Sequence, residues 1–302
     1  MTSPLTVAIR PLKGVRILSL ALNLPGPAAL MRCRQMGARC VKLESPTGDP
    51  MKNYSAAAYA ALHQGIRITT ADLKTSAGQN KLHRELAKAD VLLTSFRPSA
   101  LVKLGLTWKA LHKQYPHLSQ VAIVGSQGPL AEAPGHDLTY LAEHGLVTGL
   151  DLPATLYADM GGSLMASEAV LKAVLLRHAG GKGCYLEVAL SSSASYLALP
   201  RTWGLTTPGA AIGGGHAGYQ IYPCKNGRVA VAALEPHFAA RLCAAAGLNS
   251  VNMLAAATQQ AIGAWLLGQT CAQLNKMAID KDIPLLTLAS TAELHGEQTL
   301  FN

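Results

Sequence analysis

Apolar and polar positions alternate along the first 200 residues in a pattern typical of strands and helices that follow one another. The apolar run at 15–20 predicts a buried strand, the stretch at 28–36 predicts an amphipathic helix, and 40–44 predicts a second strand. A strand, a helix and a second strand form a βαβ unit, which implies a parallel sheet with a right-handed crossover. The chain therefore begins with the building block of a Rossmann-like α/β domain.

The same alternation continues to about residue 200. Further helices are predicted at 79–89, 108–114 and 163–178, and further strands at 90–94, 119–124 and 184–190. We therefore predict a large α/β domain with a parallel sheet over residues 1–200.

The composition changes beyond this point. Residues 201–218 are rich in Gly, Ala, Thr and Pro, which predicts a Gly-rich linker. The elements predicted after it are strands at 220–223 and 228–233, joined across an Asn-Gly turn, and helices at 237–246 and 259–267. Residues 219–302 therefore predict a smaller α+β domain.

The charge of the chain indicates a negatively charged partner. Lysine and arginine outnumber aspartate and glutamate by 26 to 17, a formal net charge of +9. The basic residues are scattered, and no aromatic-rich basic stretch typical of nucleic-acid binding is present. A phosphorylated small ligand accounts for this charge as well as a nucleic acid does.

Cysteine usage and hydropathy predict a cytoplasmic protein. The six cysteines form no CxxC motif and stand at no metal-ligand spacing to a histidine, so they are interpreted as reduced core residues and no metal is expected. No apolar run approaches the roughly 18 residues of a membrane span. The N-terminus has no apolar region typical of a signal peptide.

The first turn of the predicted sheet argues against nicotinamide and flavin cofactors. Pro25-Gly26-Pro27 follows the first strand where a dinucleotide-binding protein carries G-x-G-x-x-G. The chain also has no Walker A motif and no G-x-S-x-G motif.

Two polar residues 22 positions apart are candidates for proton transfer. Asp159 precedes Gly161 and Gly162 at the start of a helix-like stretch. It is either a helix cap or an acid/base whose neighbouring glycine N–H groups stabilise an oxyanion, with its pKa lowered by the helix dipole. His136 is either a structural loop residue or a general base, and Asp137 either orients its imidazole or caps a helix.

Two further charged residues have the same two interpretations. Glu235 precedes a proline at a strand-to-helix junction and is either a surface cap or a carboxylate that supports a histidine. Arg97 follows a strand end, where ligands of open α/β sheets bind, and is either a phosphate ligand or an ordinary surface arginine.

Several segments, taken together, resemble the class III CoA-transferase family, which also contains the α-methylacyl-CoA racemases. The segments are Pro11-Leu12-Lys13-Gly14-Val15-Arg16, Pro25-Gly26-Pro27, Met36-Gly37-Ala38-Arg39-Cys40-Val41-Lys42-Leu43-Glu44, Phe96-Arg97-Pro98 and Gly181-Lys182-Gly183-Cys184-Tyr185-Leu186-Glu187-Val188. Two more resemble the racemase branch, namely Gly135-His136-Asp137-Leu138-Thr139-Tyr140-Leu141-Ala142 and Ala233-Leu234-Glu235-Pro236-His237-Phe238. Transferases usually carry another residue where His136 stands.

The resemblance implies a racemase that inverts the α-methyl centre of a branched acyl-CoA. His136 and Asp159 would be the two acid/base residues, with Glu235 supporting the histidine. The residues that bind substrate or CoA would be Arg97, Gly161, Gly162, Lys42 and Tyr140. No cofactor other than the coenzyme A of the substrate is expected, and the phosphates of CoA account for the net charge without a nucleic acid or membrane partner.

The same family leaves two other activities open. In a transferase, Asp159 would be the nucleophile and would form an aspartyl-CoA thioester. Family members form interlocked homodimers, and this sequence ends before the segment that returns to the large domain in longer members. The third hypothesis is therefore a family member that binds CoA without catalysis.

Overall fold

A six-stranded parallel sheet organises the first part of the chain in a computed structural model that describes residues 9–249 and 251–288. The strands are β1 (Arg16–Ser19), β2 (Arg39–Glu44), β3 (Arg67–Thr70), β4 (Val91–Thr94), β5 (Ser119–Val124) and β6 (Tyr185–Ala189). They lie in the order β3-β2-β1-β4-β5-β6, and each neighbouring pair is parallel. The predicted Rossmann-like α/β fold is thus confirmed. The chain reverses its direction of travel across the sheet between β1 and β4, where ligands of open α/β sheets bind.

Helices cover both faces of this sheet. They are α1 (Pro25–Gln35), α2 (Met51–Tyr54), α3 (Ala56–Leu62), α4 (Ser76–Leu86), α5 (Pro98–Lys103), α6 (Trp108–Gln114), α7 (Asp137–Glu143), α8 (Tyr157–Gly180) and α9 (Leu190–Leu197), with a 3-10 turn at Gly128–Glu132. Successive strand residues point to opposite layers. Ile17 packs in a core with α1, α8 and α9, whereas Leu18 packs in a second core with α4, α5 and α6.

Some helices begin earlier than their sequence pattern predicts. The helix predicted at 28–36 begins at Pro25, because a proline is well suited to the first turn, where its missing N–H is not needed. The helix predicted at 79–89 begins at Ser76, since the hydroxyl of Thr75 accepts a hydrogen bond from the N–H of Gly78 at 3.1 Å. The helix predicted at 163–178 begins at Tyr157, ahead of its two glycines.

The chain divides into two compact units between Ala198 and Leu199. The second unit is α+β: β7 (Tyr219–Cys224), β8 (Gly227–Ala232) and β9 (Leu285–Leu288) form an antiparallel sheet. Its helices are α10 (Leu199–Thr202), α11 (Pro236–Ala245), α12 (Ala256–Leu267) and α13 (Cys271–Asp280). The predicted hairpin is present: Cys224 pairs with Gly227, and Lys225 and Asn226 form the turn between β7 and β8. β9 and α13 were not predicted.

Residues 201–218, predicted as a linker, are held by backbone hydrogen bonds within the second unit. A 3-10 turn spans Ala211–Gly213, and the N–H of Gly215 donates to the carbonyl of Ala210 at 2.8 Å. Ala217 is fully buried and donates its N–H to the carbonyl of Met253 at 2.8 Å. The end of this segment therefore contributes to the core of the small unit.

All six cysteines are free thiols, and four of them are buried. Within the described residues, none of the helices has the length and apolar character required to cross a membrane.

Candidate active site

A pocket of about 150 Å³ lies at the carboxyl edge of the parallel sheet, between β1 and β4. Asn23 follows β1 on its rim, Ser95 follows β4, and Gly125 follows β5. The predicted residues that the structure brings together here are His136, Asp159, Arg97 and Tyr140. The pocket is smaller than the roughly 300–1,000 Å³ typical of sites that enclose a whole ligand, so it suits the reacting end of a larger one.

Asp159 is the third residue of α8 and is partly buried. Burial, with a second contribution from the nearby Asp137 carboxylate, raises the pKa of Asp159 to about 6. The helix dipole was predicted to lower this pKa, but the loss of hydration on burial has the larger effect. A carboxyl group with this pKa can both accept and give a proton near neutral pH.

Asp137 links the two helices that border the pocket. Its side chain is buried, and its Oδ1 accepts a hydrogen bond from the backbone N–H of Asp159 at 3.0 Å. The bond joins the first turn of α7 to the first turn of α8. Asp137 therefore fixes the backbone that carries Asp159, a role outside the two alternatives considered from the sequence.

His136 directly precedes α7 and is exposed. Its backbone N–H donates to the hydroxyl of Thr139 at 3.0 Å, and that hydroxyl donates to the His136 carbonyl at 2.7 Å. The backbone of His136 is thus held while its imidazole lines the pocket. The His136 side chain also takes part in a capping box with the backbone N–H of Thr139, the third residue of α7. The other ring nitrogen is left available to a ligand.

Tyr140 and Arg97 complete the polar lining. Tyr140 is buried against Gly135, where a Cβ would lie 2.6 Å from the phenol oxygen. Burial and the neighbouring Asp159 raise the pKa of Tyr140, while Arg97 acts in the opposite direction. Arg97 is exposed at the start of α5. Its guanidinium is therefore accessible from solvent beside the pocket, and its predicted role as a phosphate ligand stays a prediction.

The two glycines predicted as oxyanion donors have a different role. Gly161 and Gly162 are the fifth and sixth residues of α8, and N–H groups beyond the first turn of a helix are bonded to the preceding turn. A Cβ on Gly161 would collide with Ser193, and one on Gly162 with Leu190. Both glycines therefore allow α8 and α9 to pack closely, and the sequence interpretation of free donors is corrected.

Lys42 does not line the pocket, although the resemblance implies that it binds CoA. Its side chain is fully buried; the ammonium is bonded to the Asp49 carboxylate, lies 3.1 Å from Glu44, and donates to His63 Nε2 at 2.9 Å. His63 Nδ1 donates in turn to the carbonyl of Tyr59 at 2.7 Å. All the ammonium protons are used inside the protein, so Lys42 acts as a structural residue in this arrangement.

This Lys42 cluster (Lys42, Glu44, Asp49 and His63) also reaches the pocket through the backbone. Asp49 accepts a hydrogen bond from the N–H of Asn23, on the pocket rim, at 3.0 Å. Asn23 has φ +63, a left-handed conformation that needs such support in a residue with a side chain. The cluster therefore holds the loop after β1 in its place at the pocket.

The same cluster contains the donor set best suited to a metal ion in the described part of the chain. One ligand atom from each of Glu44, Asp49 and His63 lies within 4.8 Å of the others. The Lys42 ammonium is bonded to all three groups, however, and already supplies the positive charge that the carboxylates require. A metal ion would have to displace it.

Glu235 lies in the second unit, where it is exposed and immediately precedes α11. Its predicted support of His136 stays a prediction.

Sequence reasoning missed several residues that shape the site. Asp49 and His63 were not singled out, and neither was the hydroxyl of Ser95, which accepts the N–H of Leu22 at 2.9 Å. One signal was available for the first two. Lys42 lies in the middle of the strand predicted at 40–44 of a parallel sheet, where both faces are usually covered, and a buried lysine needs partners of opposite charge.

The sequence of this chain is similar to those of known proteins. A family model described as CoA-transferase family III matches residues 12–301. Mouse alpha-methylacyl-CoA racemase is 32% identical over 260 residues, which cover 80% of this chain and 66% of the relative. Cinnamoyl-CoA:phenyllactate CoA-transferase of Clostridium sporogenes is 31% identical over 204 residues, covering 61% of this chain and 50% of the relative. The chain thus spans between half and two thirds of the length of these relatives.

A similar fold is known from a crystal structure of a CAIB/BAIF family protein from Brucella suis. The two chains share a TM-score of 0.80 over 95% of this chain and 86% of that one, at 23% sequence identity.

Proposed function

The chain belongs to CoA-transferase family III, and we propose that it is an acyl-CoA racemase that inverts the α-methyl centre of a branched acyl-CoA. The observation that carries the proposal is that His136 and Asp159 line the same small pocket, with the pKa of Asp159 raised to about 6. An imidazole and a carboxyl group with a raised pKa, lining one pocket, supply the acid and the base that such an inversion needs.

The reaction is two proton transfers at one carbon. One group of the pair, in its basic form, takes the α-proton, and the electron pair of the broken C–H bond moves into the thioester to form an enolate. The other group, in its acidic form, delivers a proton to the opposite face of the same carbon. The inversion leaves the single proton of the pair on the other group, which sets the pair for the reverse reaction. Proton exchange with solvent restores the starting form, and the two groups exchange roles with the direction of reaction.

The polar surroundings suit this substrate. Arg97 lies exposed at the mouth of the pocket, where its guanidinium is available to a phosphate of the CoA moiety. Tyr140 closes the inner wall and is shielded from water. We propose that the acyl chain and thioester enter the pocket while the nucleotide stays outside, because about 150 Å³ does not hold the whole of CoA.

The test is exchange of the α-proton for deuterium. Incubated in D₂O with 2-methylacyl-CoA thioesters of increasing chain length, the protein should wash deuterium into the α position, as seen by mass spectrometry. Removing an acid/base group typically lowers such rates about 10²- to 10⁴-fold, and we expect this for His136→Ala and Asp159→Asn. Asp151→Asn, at an exposed loop position, is the matched control and should keep full activity. Absence of exchange with every branched substrate would exclude the racemase.

The second candidate is CoA transfer, which the match to the C. sporogenes transferase supports. Here the Asp159 carboxylate attacks the thioester carbonyl and expels CoA as a thiolate, which leaves a mixed anhydride. The thiolate then attacks the aspartyl carbonyl, releases the acyl group as a carboxylate, and leaves an aspartyl-CoA thioester.

Hydroxylamine separates the two candidates. It would convert an aspartyl-CoA thioester to a hydroxamate on the peptide that contains Asp159, whereas a racemase forms no covalent adduct. Exchange without hydroxamate supports the racemase, and hydroxamate without exchange supports the transferase. Binding of acetyl-CoA with neither product would identify a non-catalytic CoA-binding protein.

We also propose that the protein is a cytoplasmic homodimer. Apolar side chains are exposed along α8 and α9, where Leu164 is 50% exposed, Leu175 68% and Tyr196 64%. A groove of about 620 Å³ lies beside Leu164 and Tyr196. An apolar surface of this kind on neighbouring helices suits a second copy. Sedimentation of the wild type as a dimer, and of Leu164→Glu with Tyr196→Glu as a monomer, would support this assembly; a monomeric wild type would exclude it.

A further inference from the structure

A second cleft lies at the amino ends of the parallel strands, on the opposite side of the sheet from the carboxyl ends near Asp159. Its volume is about 570 Å³, and it is lined by Arg16, Arg39 and Arg67, the residues at which β1, β2 and β3 begin. The pocket of the proposed active site follows the carboxyl ends of the strands. The two cavities therefore lie toward opposite ends of the strands.

Cationic side chains dominate this cleft. Its lining contains six of them, namely Arg10, Arg16, Arg34, Arg39, Arg67 and Lys88. A single carboxylate, that of Glu85, is also present, and both of its oxygens accept from Arg67 at 2.9 Å. The other five cations form no ion pair with any residue that the structure describes. The nearby Asp90 is bonded to Arg177 and to the backbone N–H of Arg16, so its charge is already shared.

The backbone positions at least one of these cations. Gly65 has φ +70, a left-handed conformation that favours glycine, and the guanidinium of Arg34 occupies the space that a Cβ at this position would need. A side chain at position 65 would push Arg34 away from the cleft. The local fold thus places the guanidinium against the wall of the cavity.

Five cations that have no ion-pair partner in the described part of the chain repel one another, and a bound anion reduces that repulsion. Guanidinium groups present paired donors that match the oxygens of a phosphate. The cleft also has an apolar wall from the partly buried Val41, which a purely inorganic ion would not use. Its volume lies within the roughly 300–1,000 Å³ typical of small-molecule sites.

We propose that this cleft binds a small organic anion with two or more phosphate groups, at a site distinct from the Asp159 pocket. ATP, with three phosphates and an apolar ring system, is the probe with the matching chemistry. Tripolyphosphate carries the charge alone and measures the contribution of the phosphates.

The test is calorimetric titration of the full chain with each probe, with and without saturating CoA. Arg16→Gln with Arg39→Gln removes two exposed cations of the cleft, and we expect ATP to bind at least about tenfold more weakly as charge-assisted contacts are lost. Lys109→Gln with Lys113→Gln makes the same change of net charge on the exposed surface of α6 and should leave the affinity unchanged. Lys88→Gln is a second, single cleft variant that should weaken binding without a folding defect.

The proposal is supported if ATP still binds in the presence of CoA and if only the cleft variants lose that binding. Binding that CoA abolishes, or that Arg97→Gln abolishes while the cleft variants keep it, would assign the anion to the active site and overturn the proposal. If the Lys109/Lys113 control weakened ATP binding to the same extent, the effect would come from net charge alone, and the proposal would be overturned. Failure of ATP to bind, or tighter binding of a single-stranded oligonucleotide through the same arginines, would also overturn it.

Discussion

Two groups of ionisable side chains border the same parallel sheet and differ in how completely they are bonded. In the Lys42 cluster, the ammonium, both carboxylates and the imidazole all bond to one another or to backbone. In the pocket, the Asp159 carboxylate has no hydrogen-bond partner among the described residues, and the His136 side chain has only the capping-box contact with the backbone of Thr139. A buried charge with full partners stabilises one conformation, whereas a partly buried carboxyl without them keeps a pKa suited to chemistry. The contrast separates a structural cluster from a reactive one.

The largest expected effect comes from breaking the bonded cluster. Lys42→Met leaves Asp49 and Glu44 buried without their counter-charge, and removal of one partner of a buried ion pair typically costs about 3–5 kcal/mol. We expect the free energy of unfolding in urea to fall by that amount. Lys172→Met, which removes the exposed pair with Glu168, should cost less than about 1 kcal/mol. Equal losses in the two variants would show that Lys42 is not held as described.

Removal of the Asp159 charge from the pocket is expected to raise the free energy of unfolding, whereas removal of the Lys42 charge lowers it. The pKa of Asp159 is raised from 3.8 to about 6 in the folded protein, so ionised Asp159 disfavours folding once the pH exceeds both values. Asp159→Asn should therefore raise the free energy of unfolding at pH 8 by about 1–2 kcal/mol, allowing for partial exposure.

That gain has a defined pH window. The gain should be small at pH 4, where the carboxyl is protonated in the folded state and about half ionised in the unfolded state. It should grow between pH 4 and 6 and level off above the folded-state pKa of about 6. Urea unfolding of wild type and variant at pH 4, 6 and 8 measures it. A stability loss in Asp159→Asn at pH 8 would mean that the carboxylate is a stabilising cap instead.

The secondary structure, the Lys42 cluster and the pocket could be predicted from the sequence to different extents, for physical reasons. The helix at 108–114 and the strand at 119–124 have the predicted bounds, because short apolar or amphipathic runs between turn residues leave few alternatives. β3 was missed because the sequence of this edge strand, Arg67-Ile68-Thr69-Thr70, is mostly exposed and carries little apolar pattern. The Lys42 cluster could not be assembled from sequence, since its members come from separate elements that only the fold brings together.

The start of α8 shows where local reasoning fails. Gly161 and Gly162 have the pattern of a loop at a helix start, yet they lie inside the helix because α9 packs against them. The contact with α9 decides the conformation of these two glycines, although glycine intrinsically disfavours a helix interior. His136 and Asp159 could be named from the sequence, but their shared pocket and the raised pKa of Asp159 follow from burial.

The packing of α8, which carries Asp159, has an intermediate expected effect. Gly162→Ala should lower the free energy of unfolding by about 1–2 kcal/mol, because the collision with Leu190 outweighs the better helix propensity of alanine. Gly180→Ala, in the same helix with no atom within 4 Å of the new Cβ, should instead raise it by up to about 1 kcal/mol. Thermal unfolding of the two variants compares them directly. A gain in both would refute the close contact between α8 and α9.

The smallest expected effect is a change in the pKa of Asp159 when the neighbouring Asp137 carboxylate in the pocket is replaced. Asp137→Asn keeps an oxygen that can accept the N–H of Asp159 but removes the second cause of the raised pKa. We expect the pKa of Asp159 to fall from about 6 toward its ordinary value without reaching it, because burial is the larger cause. A ¹³C NMR titration of the aspartate carboxyls measures this shift, with the exposed Asp151→Asn as a control that leaves it unchanged. An unshifted titration would assign the raised pKa to burial alone, and the two carboxyl groups would then act independently.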